Sequence, residues 1–301
     1  MDMKKRYIKW LDKHVLDSFN DKTIFISGGH SGIALEVTRY CLAKHMNVIW
    51  GARNIEKANC SKEILLKEFN SASIKIYQLD LADISSIKSF VSKIKQDRVK
   101  FDYFYNNAGV YRMPKTYTKD GLDITIGTNF IGTYLLNKLI LAYVVENKFN
   151  TKFIFTTSVL AYFHKINYDD FFLEKNYNKI KSYSYSKRET IHMAKYFTEK
   201  YPSLSFNLVH PGSTYTPLIN KGYQSNFIKK AGKLFMKAVF HSPSKAALCT
   251  LFSMSEINKN NMICPRGLFN LSGYPQIKKV NKKLYSNYQK SIEIADKVVN
   301  I

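Results

Sequence analysis

The stretch YSYSKRE, residues 183–189, sets two phenols just ahead of an ammonium. A free tyrosine ionises near pH ~10, too high to trade protons freely at neutrality. A lysine one helical turn away favours the phenolate and lowers that value, so the pair can act as a general acid or base. Spacing alone does not select the residue. A Tyr followed four positions later by Lys occurs seven times, starting at Tyr40, Tyr111, Tyr134, Tyr177, Tyr183, Tyr196 and Tyr274. Two further stretches carry a different chemistry. SGGHSGIA, residues 27–34, gathers Gly28, Gly29 and Gly32 in one turn. Such a turn frees the backbone angles and lets an anion reach the N–H groups at a helix start. WGARN places Ala52 and then Arg53 after an apolar run. With no acid there to repel a phosphate, the guanidinium can hold one as a fork.

The elements around these residues set their positions. KTIFISGG, MNVIWGA, SIKIYQLD, FDYFYNN, KFIFTTS, SFNLVH and GLFNLS are short β-rich runs. Between them lie helical segments such as IALEVTRYCLAKH, IEKANCSKEILLKEF and SSIKSFVSKIKQ, and helices around 123–147 and 183–200. Apolar strands alternating with helices mean βαβ units and a parallel sheet. The pattern predicts an α/β fold: one Rossmann-type doubly wound domain with a mostly parallel, seven-stranded sheet. That domain spans 21–301, preceded by an amphipathic helical extension over 1–20. Within the extension, Tyr7, Ile8, Leu11, Val15, Leu16 and Phe19 recur at helical spacing over 4–19. This face either packs on the domain or lies on a membrane surface. Residues 212–240 break the alternation, and Phe227, Ala231, Leu234, Phe235 and Val239 share one helical face there. An excursion at a strand's C-terminal end is where this fold places a substrate lid.

Composition narrows the function. The chain has 301 residues, enough for one large α/β domain. The net charge of +23 comes from Lys spread along the whole chain, and no nucleic-acid motif accompanies it. No nucleic-acid partner is expected, although a basic surface favours anionic ligands. Cys41, Cys60, Cys249 and Cys264 are scattered, and no Cys/His cluster has metal spacing, so no metal site is expected. The thiols suit a reducing cytoplasm. No run of about 18 apolar residues exists, so no membrane span is expected, though weak surface association stays open.

In this order the motifs resemble the short-chain dehydrogenase/reductase family, and its retinol-dehydrogenase-like members in particular. SGGHSGIA is similar to that family's TGxxxGIG, with Ser27 for Thr and Ala34 for the last Gly. LDLAD, NNAG (106–109), IGTNFIGTYLL and HPGSTYT (210–216) fall in family order. The resemblance implies a dinucleotide on Gly28, Gly29, His30, Ser31, Gly32 and Ile33, with adenine near Asp80 and Leu81. It also implies contacts from Asn107, Ala108, Gly109, Pro211, Gly212 and Thr216. In the family a Ser at the end of strand five precedes Tyr-xxx-Lys on the next helix. Ser158 ends FIFTTS, which leaves Tyr177, Tyr183 and Tyr196 before the strand at 204. Tyr196 lies toward the far end of the helix and Tyr177 in a polar connection. Tyr183 opens the periodic segment with Lys187 on its face, whereas Tyr185 points elsewhere. The 25 positions from Ser158 to Tyr183, and the closing segment KKLYSNYQKSIEIA, are similar to retinol-dehydrogenase-like members.

The expected activity is therefore NADP(H)-dependent transfer of hydride between nicotinamide and an apolar carbonyl or alcohol. Ser158 would polarise the substrate oxygen and Tyr183 would exchange the proton. Lys187 would lower the phenol's pKa and bind the ribose, and Asn129 would link Lys187 to solvent through a water. Arg53 in place of an acid favours NADP(H) over NAD(H). The alternative is a non-catalytic NADP(H)-binding regulatory or scaffold protein of the same fold, which would have no use for all three of Ser158, Tyr183 and Lys187. The resemblance also implies a homo-oligomer through helices beside the site.

Overall fold

The computed structural model describes residues 5–15, 17–70, 72–214, 242–256, 258–267 and 270–299. The proposed lid beyond residue 214 and Thr216 lie outside them. Eight strands form one sheet: β1 (Thr23–Ser27), β2 (Asn47–Ala52), β3 (Ser73–Gln78), β4 (Tyr103–Asn106), β5 (Lys152–Thr156), β6 (Ser205–Val209), β7 (Met262–Pro265) and β8 (Pro275–Lys278). Their order is β3-β2-β1-β4-β5-β6-β7-β8. All pairs are parallel except β7 with β8. The first six strands match the apolar runs. The last does not: the seventh strand is MICP rather than GLFNLS. MICP is buried throughout and bonds β6 through the register Leu208 to Met262, so the inner position goes to the drier segment. The eighth strand was unforeseen, because it is four residues long and half exposed.

Side chains alternate across the sheet and feed two cores. Phe25, Phe104 and Phe153 face α4 (Ile84–Gln96), α5 (Ile124–Glu146), α6 (Lys179–Lys200) and α8 (Tyr288–Val299). Ile24, Ile26, Val48 and Ile154 face α1 (Lys5–His14), α2 (Gly32–Ala43), α3 (Ile55–Glu68) and α7 (Pro243–Ser253). Because β1 pairs with both β2 and β4, the chain reverses direction across the sheet there. Such folds hold their ligands beside this reversal, in the crevice outside the C-terminal ends of the strands.

Three helices position the site or refine the sequence reading. α6 begins at Lys179, capped by Asn178, whose Oδ1 accepts from Ile180 N and Lys181 N. This start is four residues earlier than the periodicity suggests, and it places Tyr183 in the second turn. α5 is long and apolar enough to cross a membrane by length and composition, but 78% of its apolar window is buried in the domain. It is a core helix, interrupted by a π-turn over Gly127–Gly132. A Cβ on Gly132 would stand 2.0 Å from the Leu81 carbonyl oxygen, so helix and loop touch backbone to backbone. α1 is shorter than the predicted 4–19. Its Tyr7 and Leu11 are buried, Trp10 stacks on Tyr274 at 5.3 Å, and Asp12 pairs with Lys44 at 2.8 Å. The apolar face that a membrane surface would need is buried against the domain.

Candidate active site

The crevice has two walls. The first is built at the ends of β1, β2 and β4. Gly28 (φ +69°) and Gly32 (φ +60°) are left-handed, a conformation that favours glycine. Gly29 is constrained differently: a Cβ there would stand 2.1 Å from the Trp50 ring, so its lack of a side chain serves packing. The turn is laced to β4 by Ser27. Its Oγ accepts from Asn107 N (3.0 Å) and Ala108 N (2.9 Å), and Asn107 Nδ2 donates to Ser27 O (3.3 Å). Ser31 is the N-cap of α2 but gives no side-chain cap, which leaves the helix's first N–H groups to an anion. His30 Nδ1 is buried without a hydrogen-bond partner. Burial first, then the charge on Lys57, lowers the pKa of this imidazole.

Ile33 flanks this turn and packs at the edge of the core. Arg53 stands exposed just beyond the last residue of β2. Asp80 Oδ1 accepts from Ala82 N at 2.9 Å, which fixes the turn that carries buried Leu81. Gly109 lies against Asn129, where a Cβ would be 2.9 Å from Oδ1. Gly212 follows Pro211 with φ +82°, and a Cβ there would meet the Leu271 carbonyl oxygen at 2.7 Å. A glycine cradle, an uncapped helix start and an orphaned imidazole nitrogen together fit a dinucleotide's phosphates.

The second wall is β5 and α6. Ser158 caps a 3-10 turn over Val159–Tyr162, its Oγ accepting from Leu160 N at 3.2 Å. Tyr183 meets the ring of Tyr111 edge-on at 4.6 Å. Lys187 is 6% exposed. Its Nζ donates to Thr156 O at 2.9 Å and stands 5.6 Å from the centroid of the Tyr183 ring. Thr157 Oγ1 donates to Lys187 O at 2.9 Å, which ties β5 to α6. Ser158, Tyr183 and Lys187 are thus brought together.

Their electrostatics differ from the sequence expectation. Burial pushes the Tyr183 phenol up, Tyr111 adds to the rise, and a hydrogen bond from Ser158 pulls it back only partly. The expected lowering by Lys187 is absent. The ammonium is turned to the Thr156 carbonyl, and burial brings its own pKa down to about 8. Asn129 has protein partners of its own. Its Oδ1 accepts from Val110 N (2.8 Å), while Nδ2 donates to Val110 O (2.9 Å) and Ser186 Oγ (3.1 Å). It clamps the loop after β4, and no direct bond to Lys187 is formed.

The competing tyrosines have structural partners. Tyr185 is buried and its hydroxyl accepts from Asn167 N at 2.9 Å. Tyr177 donates to Met113 O at 2.7 Å. Tyr196 receives Lys200 Nζ at 2.9 Å on the exposed end of α6. Sequence reasoning missed Tyr111 and Trp50 as parts of the site. Only the first left a signal, two residues after NNAG, the motif that ends at the crevice.

Comparison with known proteins agrees with this geometry. The family model described as short chain dehydrogenase matches residues 22–226. Retinol dehydrogenase 14 of Homo sapiens is 26% identical, over 78% of this chain and 74% of that protein. A crystal structure of an uncharacterized protein from Mycobacterium paratuberculosis is 21% identical, with a TM-score of 0.73 over 94% of this chain and 95% of that one. L-sorbose reductase from Gluconobacter frateurii, solved with NADPH and L-sorbose, is 17% identical, with a TM-score of 0.63 over 79% of this chain and 91% of that one. The chain belongs to the short-chain dehydrogenase family and is an oxidoreductase acting on alcohol or carbonyl groups.

Proposed function

We propose that the protein is an NADP(H)-dependent reductase of apolar carbonyl compounds, working in the cytoplasm. The observation that carries this reading is the juxtaposition of Ser158, Tyr183 and Lys187 on one wall of a glycine-lined crevice. NADP(H) would supply or accept hydride at the nicotinamide. Gly28, Gly29, His30, Ser31, Gly32 and Ile33 would hold its pyrophosphate, and Asp80 with Leu81 its adenine. Asn107, Ala108, Gly109, Pro211, Gly212 and Thr216 would line the nicotinamide side. Exposed Arg53 offers a fork for the 2′-phosphate where an acid would repel it.

The chain's own groups then do the proton chemistry. Tyr183 would be the proton donor in carbonyl reduction; burial alone makes it a weaker acid, so the transfer depends on the neighbouring Ser158 hydroxyl and the Lys187 charge. The Ser158 hydroxyl lies beside the phenol and would donate its proton to the substrate oxygen. Lys187, held by the Thr156 carbonyl, supplies positive charge under the ring when protonated. Asn129 fixes the loop after Gly109 and so the floor of the site. A relative named for retinol, a hydrocarbon-rich alcohol, supports an apolar substrate. Four free thiols suit a reducing compartment. The flank of α6 is occupied by α8, with His192 Nδ1 2.8 Å from Ser291 Oγ, so a second copy would have to seat elsewhere.

Ligand-dependent melting tests the cofactor half of this reading. NADPH should raise the melting temperature more than equal NADH. A larger shift with NADH would contradict the role given to Arg53.

A further inference from the structure

Beneath the crevice, on the face away from α6, one buried hydroxyl joins four parts of the fold. Tyr105 lies on β4 and is fully buried. Its hydroxyl donates to Asn107 Oδ1 at 3.2 Å. It accepts from Thr156 Oγ1 at 3.2 Å and from Thr250 Oγ1 at 3.0 Å. One proton and two lone pairs are all used, so the phenol is saturated. A hydroxyl in an apolar core is costly unless paired, and the surrounding strands could be closed by hydrocarbon alone.

The partners are placed tellingly. Asn107 is the residue whose N–H and amide lace β4 to Ser27 in the glycine turn. With its Oδ1 held by Tyr105, the amide can only turn its nitrogen to Ser27. Thr156 is the residue whose carbonyl receives Lys187 Nζ. Thr250 anchors the hub to α7. Thus one phenol connects the dinucleotide wall to the strand end that holds the catalytic ammonium. Burial pushes the Tyr105 pKa up, so the hydroxyl keeps its proton across the working range.

We infer that Tyr105 is a positioning residue, which fixes the amide of Asn107 and the end of β5 so that the cofactor cradle and Lys187 keep one geometry. This rests on the reading of the crevice as a dinucleotide-dependent oxidoreductase site. Tyr105→Phe removes the hydroxyl and keeps the ring. Tyr134→Phe is the matched control. Tyr134 is also fully buried, and its hydroxyl donates to Asp296 at 2.7 Å, a residue of neither wall.

The experiment measures NADPH and NADH dissociation constants by fluorescence, kcat, the pH–rate profile and Tm for wild type and both variants. Tyr105→Phe should weaken cofactor binding and lower kcat by about fivefold to tenfold each, the size of one lost buried hydrogen bond. Its alkaline limb, set by Lys187, should shift as well. Tyr134→Phe should lower Tm with binding, kcat and pH profile within about twofold of wild type. If Tyr105→Phe fails to fold, Thr156→Val is measured instead, with the same loss of kcat and shifted limb expected. A Tyr105 or Thr156 variant that loses only Tm, as the control does, overturns the inference. A wild type that binds neither dinucleotide overturns the functional reading and this inference with it, so the two failures are distinguishable.

Discussion

The wall of the crevice formed by β1, β2 and β4 works through what is missing, whereas the wall formed by β5 and α6 works through what is present. On the first, Gly28 and Gly32 take left-handed turns, Gly29 and Gly109 leave room for Trp50 and Asn129, and the binding groups are backbone N–H donors at an uncapped helix start. On the second, two side chains are packed until their acid–base properties change: the Tyr183 phenol is pushed up and the Lys187 ammonium down, both chiefly by burial. The difference shows why the walls should fail differently. Adding atoms breaks the first, and deleting single polar atoms breaks the second.

The largest expected effect lies on the second wall. Tyr183→Phe should cut kcat/KM by about a thousandfold, within the range of general acid catalysis, with cofactor affinity nearly unchanged. Its neighbour supplies the contrast. Tyr185→Phe orphans Asn167 N and should cost about 1–3 kcal/mol of stability in a denaturant titration while turnover persists. Equal activity losses in the two variants would erase the distinction between them.

On the first wall, Gly29→Ala drives a methyl into Trp50 and should destabilise the fold by about 1–3 kcal/mol, typical of overpacking. Dinucleotide affinity should fall with it, because the turn must shift. A wild-type affinity and Tm would show that the turn has slack the structure does not. A smaller and more selective change is expected from Arg53→Ala. It should weaken NADPH by roughly tenfold and leave NADH alone, as for one exposed charge-assisted contact. Parallel losses for both dinucleotides would place Arg53 outside the 2′-phosphate site.

A further expected effect concerns pH. Lys187 has a folded pKa of about 8 against an ordinary 10.5, so the unfolded chain binds the extra proton between those values. Stability should therefore rise as pH climbs from about 8 toward about 10.5, and Lys187→Met should flatten that rise. Parallel Tm–pH curves for the two proteins would mean that the ammonium is not buried as described. The reaction should show the opposite trend, with kcat/KM for reduction falling as Lys187 loses its charge above about pH 8.

The first wall was the more legible in the sequence, since missing side chains and left-handed turns leave glycines in order. Five strands were legible for a related reason: burial on both faces demands continuous apolar runs, whereas the edge strand β3 was legible from its β-branched residues despite its half-exposed face. MICP and PQIK were not, because four residues carry too little periodicity and a neighbouring GLFNLS looks more strand-like. On the second wall the identities of Ser158, Tyr183 and Lys187 were readable and their electrostatics were not. Proximity of Tyr and Lys along a helix suggested a lowered phenol. Burial from β5, Tyr111 and α6 reverses that, and no local pattern encodes it. The Gly29–Trp50 contact and the Tyr105 hub were hidden likewise, since each joins segments at least 20 positions apart or depends on which face of a strand a side chain takes.

The account rests on direct hydride delivery paired with a proton from Tyr183. Its sharpest test is NADPH carrying deuterium at the transferring C4 position, incubated with retinaldehyde or another apolar aldehyde. The wild type should place one deuterium on the carbinol carbon of the product, and Tyr183→Phe should bind the same cofactor and yield almost none. An alcohol product free of deuterium, or a Tyr183→Phe enzyme as fast as wild type, would contradict it.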